Sequence, residues 1–141
     1  MNKPLRVLLI EDNPGDADLI QETLEAGKLS VETSVAIDGA QALAYLRAQP
    51  PFESREPPEL ILLDLNLPKM DGRQVLSQIK TEPSFRRIPI VILTSSDAEH
   101  DVVQSYELGA ACYVTKPVGL AAFQAAVRSI EDFWFRVAKL P

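Results

Sequence analysis

The stretch that decides the fold is 59-ELILLDLNLPKMDG-72. Leu60, Ile61, Leu62 and Leu63 form an unbroken apolar run that ends on Asp64. A short apolar run without polar alternation marks a strand covered on both faces, as in a parallel sheet. The carboxylate that closes it is a residue type almost never fully buried without a partner, because leaving water is costly. Asn66, Leu67 and Pro68 turn the chain, and 72-GRQVLSQIK-80 reads as a helix with Val75 and Ile79 inward. The run therefore poses two questions: which other strands flank it, and what neutralises Asp64.

Similar runs lie on both sides. Residues 6-RVLLI-10 read as a buried strand, 88-IPIVILT-94 as a fourth and 111-ACYVT-115 as a fifth, while 31-VETSVAI-37 alternates enough to be the second. Helices fall between them. In 13-NPGDADLIQETLEAG-27, Asn13 caps, Pro14 suits the first helical position and acids fill the first turn. Ala17, Ile20 and Leu24 recur at helical spacing, and Gly27 is a stop signal. Asp38 caps a short helix carrying Leu43 and Leu46. In 96-SDAEHDVVQSYELG-109, Ser96 and Glu99 have capping-box spacing and Gly109 ends the helix. The segment 49-QPPFESREPP-58 is too rich in proline for a helix or a central strand, and reads as a rigid surface spacer. Five strands alternating with five helices predict an α/β doubly wound parallel sheet, with the flavodoxin-like strand order 2-1-3-4-5, as one domain over residues 1–141.

Composition narrows the function. The chain has 141 residues, 46% of them hydrophobic, and a net charge of −6. That charge argues against a surface built to grip nucleic acid. Cys112 is the only cysteine and His100 the only histidine, which excludes an intrachain disulfide and makes a zinc site a poor reading. Cys112 reads as a small buried hydrophobe. The run 7-VLLI-10 is too short for a signal peptide or a membrane span, so a cytoplasmic protein is expected.

Ligands of such sheets bind beyond the carboxyl ends of the strands, where the strand order reverses. There the sequence places Glu11 and Asp12 after strand one, Asp64 after strand three, Thr94 after strand four and Lys116 after strand five. Asp38, on the edge strand, is better read as a helix cap. Three carboxylates in one crevice repel each other, and a hard divalent cation such as Mg²⁺ relieves that. A lysine ammonium and a threonine hydroxyl facing the same crevice fit a phosphoryl group. The chemistry implied is phosphoryl transfer to a carboxylate.

These residues resemble the receiver domain of two-component response regulators. The resemblance rests on 11-ED-12, 64-DLNLPKMDG-72, 94-TSS-96 and 113-YVTKP-117 in that order, and covers roughly residues 4 to 130. It implies that Asp64 accepts a phosphoryl group from a sensor histidine kinase. It further implies that Glu11, Asp12, Asp64 and the backbone carbonyl of Asn66 hold Mg²⁺, that Lys116 pairs with the phosphoryl group, and that Thr94 swings inward with Tyr113 following as a switch aromatic. A cis Lys116–Pro117 bond is also implied. Such a protein is not a conventional enzyme: it takes part in its own phosphorylation and slow dephosphorylation, and signals by protein–protein binding. Two departures are Glu11, where Asp is commoner, and Val118, where an aromatic is common. The competing reading is a Mg²⁺-dependent aspartate-nucleophile phosphatase. That chemistry wants a second acid two residues after the nucleophile, where this chain has Asn66.

The last helix carries Leu120, Phe123, Val127, Ile130, Trp134 and Val137 as one stripe. A helix over 119–138 spans about 30 Å, more than a ~17–20 Å strand can cover. Its end, 131-EDFWFRVAKLP-141, is therefore expected to overhang as an extension. Phe133, Trp134 and Phe135 are candidate interface residues. The proline-rich insertion and the FWFRVAKLP ending are also similar to stand-alone regulators of bacterial phytochromes, which carry no output domain. That narrower resemblance implies a homodimer through the last helix or tail and a light-sensing kinase as phosphodonor.

Overall fold

A computed structural model describes residues 4–27 and 29–141. Its strands are β1 (Leu5–Ile10), β2 (Val31–Ala36), β3 (Leu60–Leu63), β4 (Ile90–Thr94) and β5 (Cys112–Thr115). They form one sheet in the order β2-β1-β3-β4-β5, all parallel. Five α-helices alternate with them: α1 (Pro14–Glu25), α2 (Gly39–Leu46), α3 (Gly72–Thr81), α4 (Glu99–Glu107) and α5 (Leu120–Asp132). Strand order and helix count are those the sequence predicts.

Successive side chains of a strand point to opposite faces, and here both faces are buried. Leu8, Ile10, Ile61, Leu63, Ile90 and Ile92 pack against α2 and α3. Val7, Leu9, Leu60, Leu62, Val91 and Leu93 pack against α1 and α5. Leu60 to Leu63 are wholly buried, which explains a strand with no polar position. The β1–β3 register sets Ile10 beside Leu63, so Glu11 and Asp64 leave the sheet at the same level. The caps read from the sequence are present at α1 and α2. Asn13 Oδ1 accepts from Asp16 N at 3.0 Å, and Asp38 Oδ1 from Gln41 N at 2.7 Å.

Several expectations need correction. Helix α4 begins at Glu99 rather than Ser96, and no side chain caps it. The Ser96 hydroxyl is instead engaged by the Asp101 carboxylate. The α5 stripe does not run unbroken to Val137. After Asp132 the backbone forms a five-residue π turn, Phe133–Val137, closed by Ala138 N donating to Phe133 O at 2.7 Å. The wider turn shifts the register, so Val137 faces solvent, 69% exposed, while Trp134 and Phe135 lie against the α1–α5 core. At the helix start, Leu120 is also exposed, which leaves Phe123, Val127 and Ile130 as the buried stripe. The 49–58 segment does lie at the surface, and side-chain contacts hold it there. The Phe52 ring meets Tyr45 edge-on at 5.4 Å, Arg55 Nε donates to Tyr45 O at 2.8 Å, and Arg6 Nε donates to Pro57 O at 2.7 Å. Finally, the Lys116–Pro117 bond is trans, and among the described residues the cis peptide is Pro50–Pro51. Trans is the intrinsically favoured form of an X–Pro bond. In that form Lys116 N still donates to Thr94 O at 2.6 Å.

Candidate functional site

The strand ends converge as the topology requires. The β3–α3 connection curls back over the end of β3, and Gly72 permits it. A Cβ there would lie 2.5 Å from Leu65 Cα and 2.6 Å from Asp64 O, so only glycine lets the loop close this tightly. Gly72 N donates to Leu65 O at 3.0 Å and fixes the fold of the loop.

Asp64 sits at the floor of the crevice, 6% exposed. Its Oδ1 accepts from Thr94 Oγ1 at 2.8 Å and from Asn66 N at 2.9 Å. Its Oδ2 accepts from Lys116 Nζ at 2.8 Å. The charge that puzzled at the end of the apolar run is thus met by an ammonium and two neutral donors. Lys116 Nζ also donates to Glu11 Oε1 at 2.5 Å and to Asp16 Oδ2 at 2.9 Å. An ammonium has three N–H groups, and each has a carboxylate.

Burial pushes the Glu11 carboxyl up to about 7, helped by the nearby Asp64 charge and opposed by its hydrogen bond from Lys116. Burial by itself would lower the Lys116 ammonium, but hydrogen bonds to Asp64, Glu11 and Asp16 hold it above the ordinary lysine value. Four carboxylates, counting exposed Asp12, therefore face one ammonium. Glu11, Asp12 and Asp64 each offer an oxygen within 4.8 Å of the others. These hard oxygen donors, with negative charge in excess of the lysine, fit a divalent cation.

Tyr113 stands at the rim. Its ring packs against the α2–α3 core, and its hydroxyl donates to Ser96 O at 2.7 Å. Burial raises its pKa. Asn66 is exposed, with Nδ2 3.4 Å from Thr94 Oγ1 and from Ser95 Oγ. Beside this rim Arg73 of α3 bonds Asp71 at 2.9 Å and pairs with Asp101 of α4. Asp101, held by Ser96 and then by Arg73, has its pKa lowered.

Of the residues expected at the site, Glu11, Asp12, Asp64, Asn66, Thr94 and Lys116 come together, while Tyr113, on β5, is bonded to Ser96. Phe133, Trp134 and Phe135 lie apart from it, in the turn that follows α5. Phe133 is 50% exposed and stacks edge-on against Trp134 at 5.3 Å. Two participants are not among the expected residues. Asp16 reads in sequence as an ordinary acid of a first helical turn. Arg73 lies in the α3 segment with nothing in the sequence to single it out. Only the tertiary contacts reveal them.

Known proteins share this fold. The sequence pattern of the response regulator receiver domain matches residues 7–128. Response regulator Rcp1 of Synechocystis is 46% identical over 140 residues, spanning 99% of this chain and 95% of that protein. The phosphorylated cyanobacterial phytochrome response regulator RcpA has a crystal structure that superposes with a TM-score of 0.95 at 44% identity, over 99% of each chain. The Mn²⁺-bound form of Rcp1 superposes with a TM-score of 0.93 at 46% identity, over 98% of this chain and 99% of that one. The chain belongs to the response regulator receiver domain family.

Proposed function

We propose that this protein is a phosphorylation switch in which Asp64 takes a phosphoryl group from a histidine kinase. One observation carries the reading. At the end of a rigid buried strand, Asp64 has one oxygen bonded to the Lys116 ammonium and the other to the Thr94 hydroxyl, beside the carboxylates of Glu11 and Asp12. In the transfer, an Asp64 oxygen forms a bond to phosphorus as the donor's P–N bond breaks. The imidazole leaves with the electron pair, and Asp64 becomes an acyl phosphate. Thr94 and Lys116 then redirect their N–H and O–H groups from Asp64 to phosphoryl oxygens. Mg²⁺, held by Glu11, Asp12, Asp64 and the Asn66 carbonyl, would supply the charge neutralisation that lets a phosphoryl dianion approach this acidic crevice. The divalent ion of Rcp1 supports this choice of group.

Tyr113 links the site to the surface. Thr94 and Tyr113 both face inward in this structure, and the Ser96 carbonyl holds the tyrosine. Phosphorylation strengthens that arrangement by giving Thr94 a charged acceptor, and the loop that carries Ser96 leads into α4. The similarity to phytochrome response regulators supports a light-sensing kinase as donor, and exposed Phe133 supports a homodimer through the tail.

The test is an intact mass after incubation with Mg²⁺ and acetyl phosphate. One phosphoryl adduct is expected, absent with EDTA and absent in Asp64→Asn. Continuous release of phosphate from many monoesters would favour the phosphatase reading instead, and no adduct with any small donor would refute the switch.

A further inference from the structure

Asp16 has no part in the reading above, yet it holds one of the three N–H groups of Lys116 at 2.9 Å. The other two go to Glu11 and Asp64. Both of those carboxylates belong to the cluster that fits a divalent cation, and Asp16 does not. Once a cation draws on Glu11 and Asp64, and Asp64 is esterified, Asp16 is the one partner of Lys116 that neither event claims. Its position is also fixed independently. The Asp16 N–H is capped by Asn13 Oδ1 at 3.0 Å, while Asn13 N donates to Glu11 Oε2 at 3.2 Å. The short segment 11–16 therefore delivers two carboxylates to one ammonium, whose side chain is only 9% exposed.

We infer that Asp16 is a positioning residue: it anchors the Lys116 ammonium in the metal-loaded site, so that a freed N–H points at the incoming phosphoryl group. The inference rests on the switch reading. The plain alternative is an acid in the first turn of a helix, which adds stability through the macrodipole and does nothing else.

The two differ in what they predict for Asp16→Ala and Asp16→Asn in the full chain. At saturating Mg²⁺ and acetyl phosphate, Asp16→Ala is expected to lower the maximal phosphorylation rate by about threefold to tenfold, the net scale of one ordinary hydrogen bond. Half-saturation by Mg²⁺ should stay within about twofold, and Asp16→Asn, which keeps an acceptor oxygen, should recover most of the rate. A second readout needs no turnover. The ¹⁵N ammonium resonance of Lys116 should persist in Mg²⁺-loaded wild-type protein and vanish through solvent exchange in Asp16→Ala. A lower thermal midpoint with rate and resonance unchanged would reduce Asp16 to a helix-end acid and overturn the inference. A tenfold loss of Mg²⁺ affinity with the maximal rate unchanged would overturn it too, by placing Asp16 on the metal. Failure of wild-type protein to take any phosphoryl group would strike the switch reading itself, whereas a normal wild type matched by Asp16→Ala would strike only this one.

Discussion

Asp64 and Glu11 are both buried, and Lys116 alone cannot balance them along with Asp12 and Asp16. That imbalance makes proton and metal compete. The Glu11 pKa in the folded protein, about 7, lies above its ordinary value of 4.5, so folding favours its protonated form. The contribution of Glu11 to the stability of the metal-free protein is therefore greatest below about pH 4.5 and falls as the pH rises through 7. A divalent cation reverses this by favouring the ionised form. The rise in thermal midpoint on adding Mg²⁺ should be larger at pH 8 than at pH 5.5, as measured by scanning calorimetry. An equal or larger rise at pH 5.5 would mean that Glu11 does not face the ion. The same residues show how a site becomes legible. Glu11, Asp12, Asp64, Thr94 and Lys116 each follow an apolar run, so position along the strand identifies them. Asp16 lies inside a helical turn where an acid already has a local explanation, and nothing in the sequence points it at Lys116.

At the scale of elements, α4 differs from its neighbours. Its one buried residue is Ser105, whereas α3 buries Val75, Leu76 and Ile79. A helix so thinly packed is drawn from the low-stability end of a fold. Polar contacts hold it instead: Arg73 to Asp101, Asp101 to Ser96, and the Ser96 carbonyl to Tyr113. Arg73→Met should increase amide exchange in α4 and at Tyr113 by about tenfold, while β1 and β3 keep their protection. Mass-resolved hydrogen exchange checks this, and uniform exchange across α3 and α4 would show that the ion pair carries no local weight. The inner strands β1, β3 and β4 were readable in the sequence because burial on both faces leaves unbroken apolar runs. The start of α4 was not. Ser96 offered a cap at the right spacing, but Asp101 takes its hydroxyl. The π turn after α5 was also hidden, because a 3.6-residue period extrapolates through it without a visible break in Phe133, Trp134 and Phe135.

Across the whole molecule, the tail is the surface proposed for self-association. No described helix is long and apolar enough to cross a membrane. Trp134 and Phe135 are half-buried against the α1–α5 core, while Phe133 and Val137 remain exposed at one end of it. A protein ending at Glu131 should remain folded, since the sheet and the buried residues of α5 precede that point. Its sedimentation should give the mass of a monomer where the full chain gives that of a dimer. The same mass for both chains would remove the tail from any self-association.

In the switch proposed for this protein, the acid closing the buried β3 run carries the phosphoryl group. Borohydride reduces an aspartyl phosphate to homoserine and leaves free carboxylates unchanged. After exposure to acetyl phosphate and Mg²⁺, trapping followed by peptide sequencing in a mass spectrometer should place homoserine at position 64 and nowhere else. Homoserine at position 12 or 16, or none in a protein whose intact mass shows an adduct, would mean that Asp64 is not the phosphoryl acceptor.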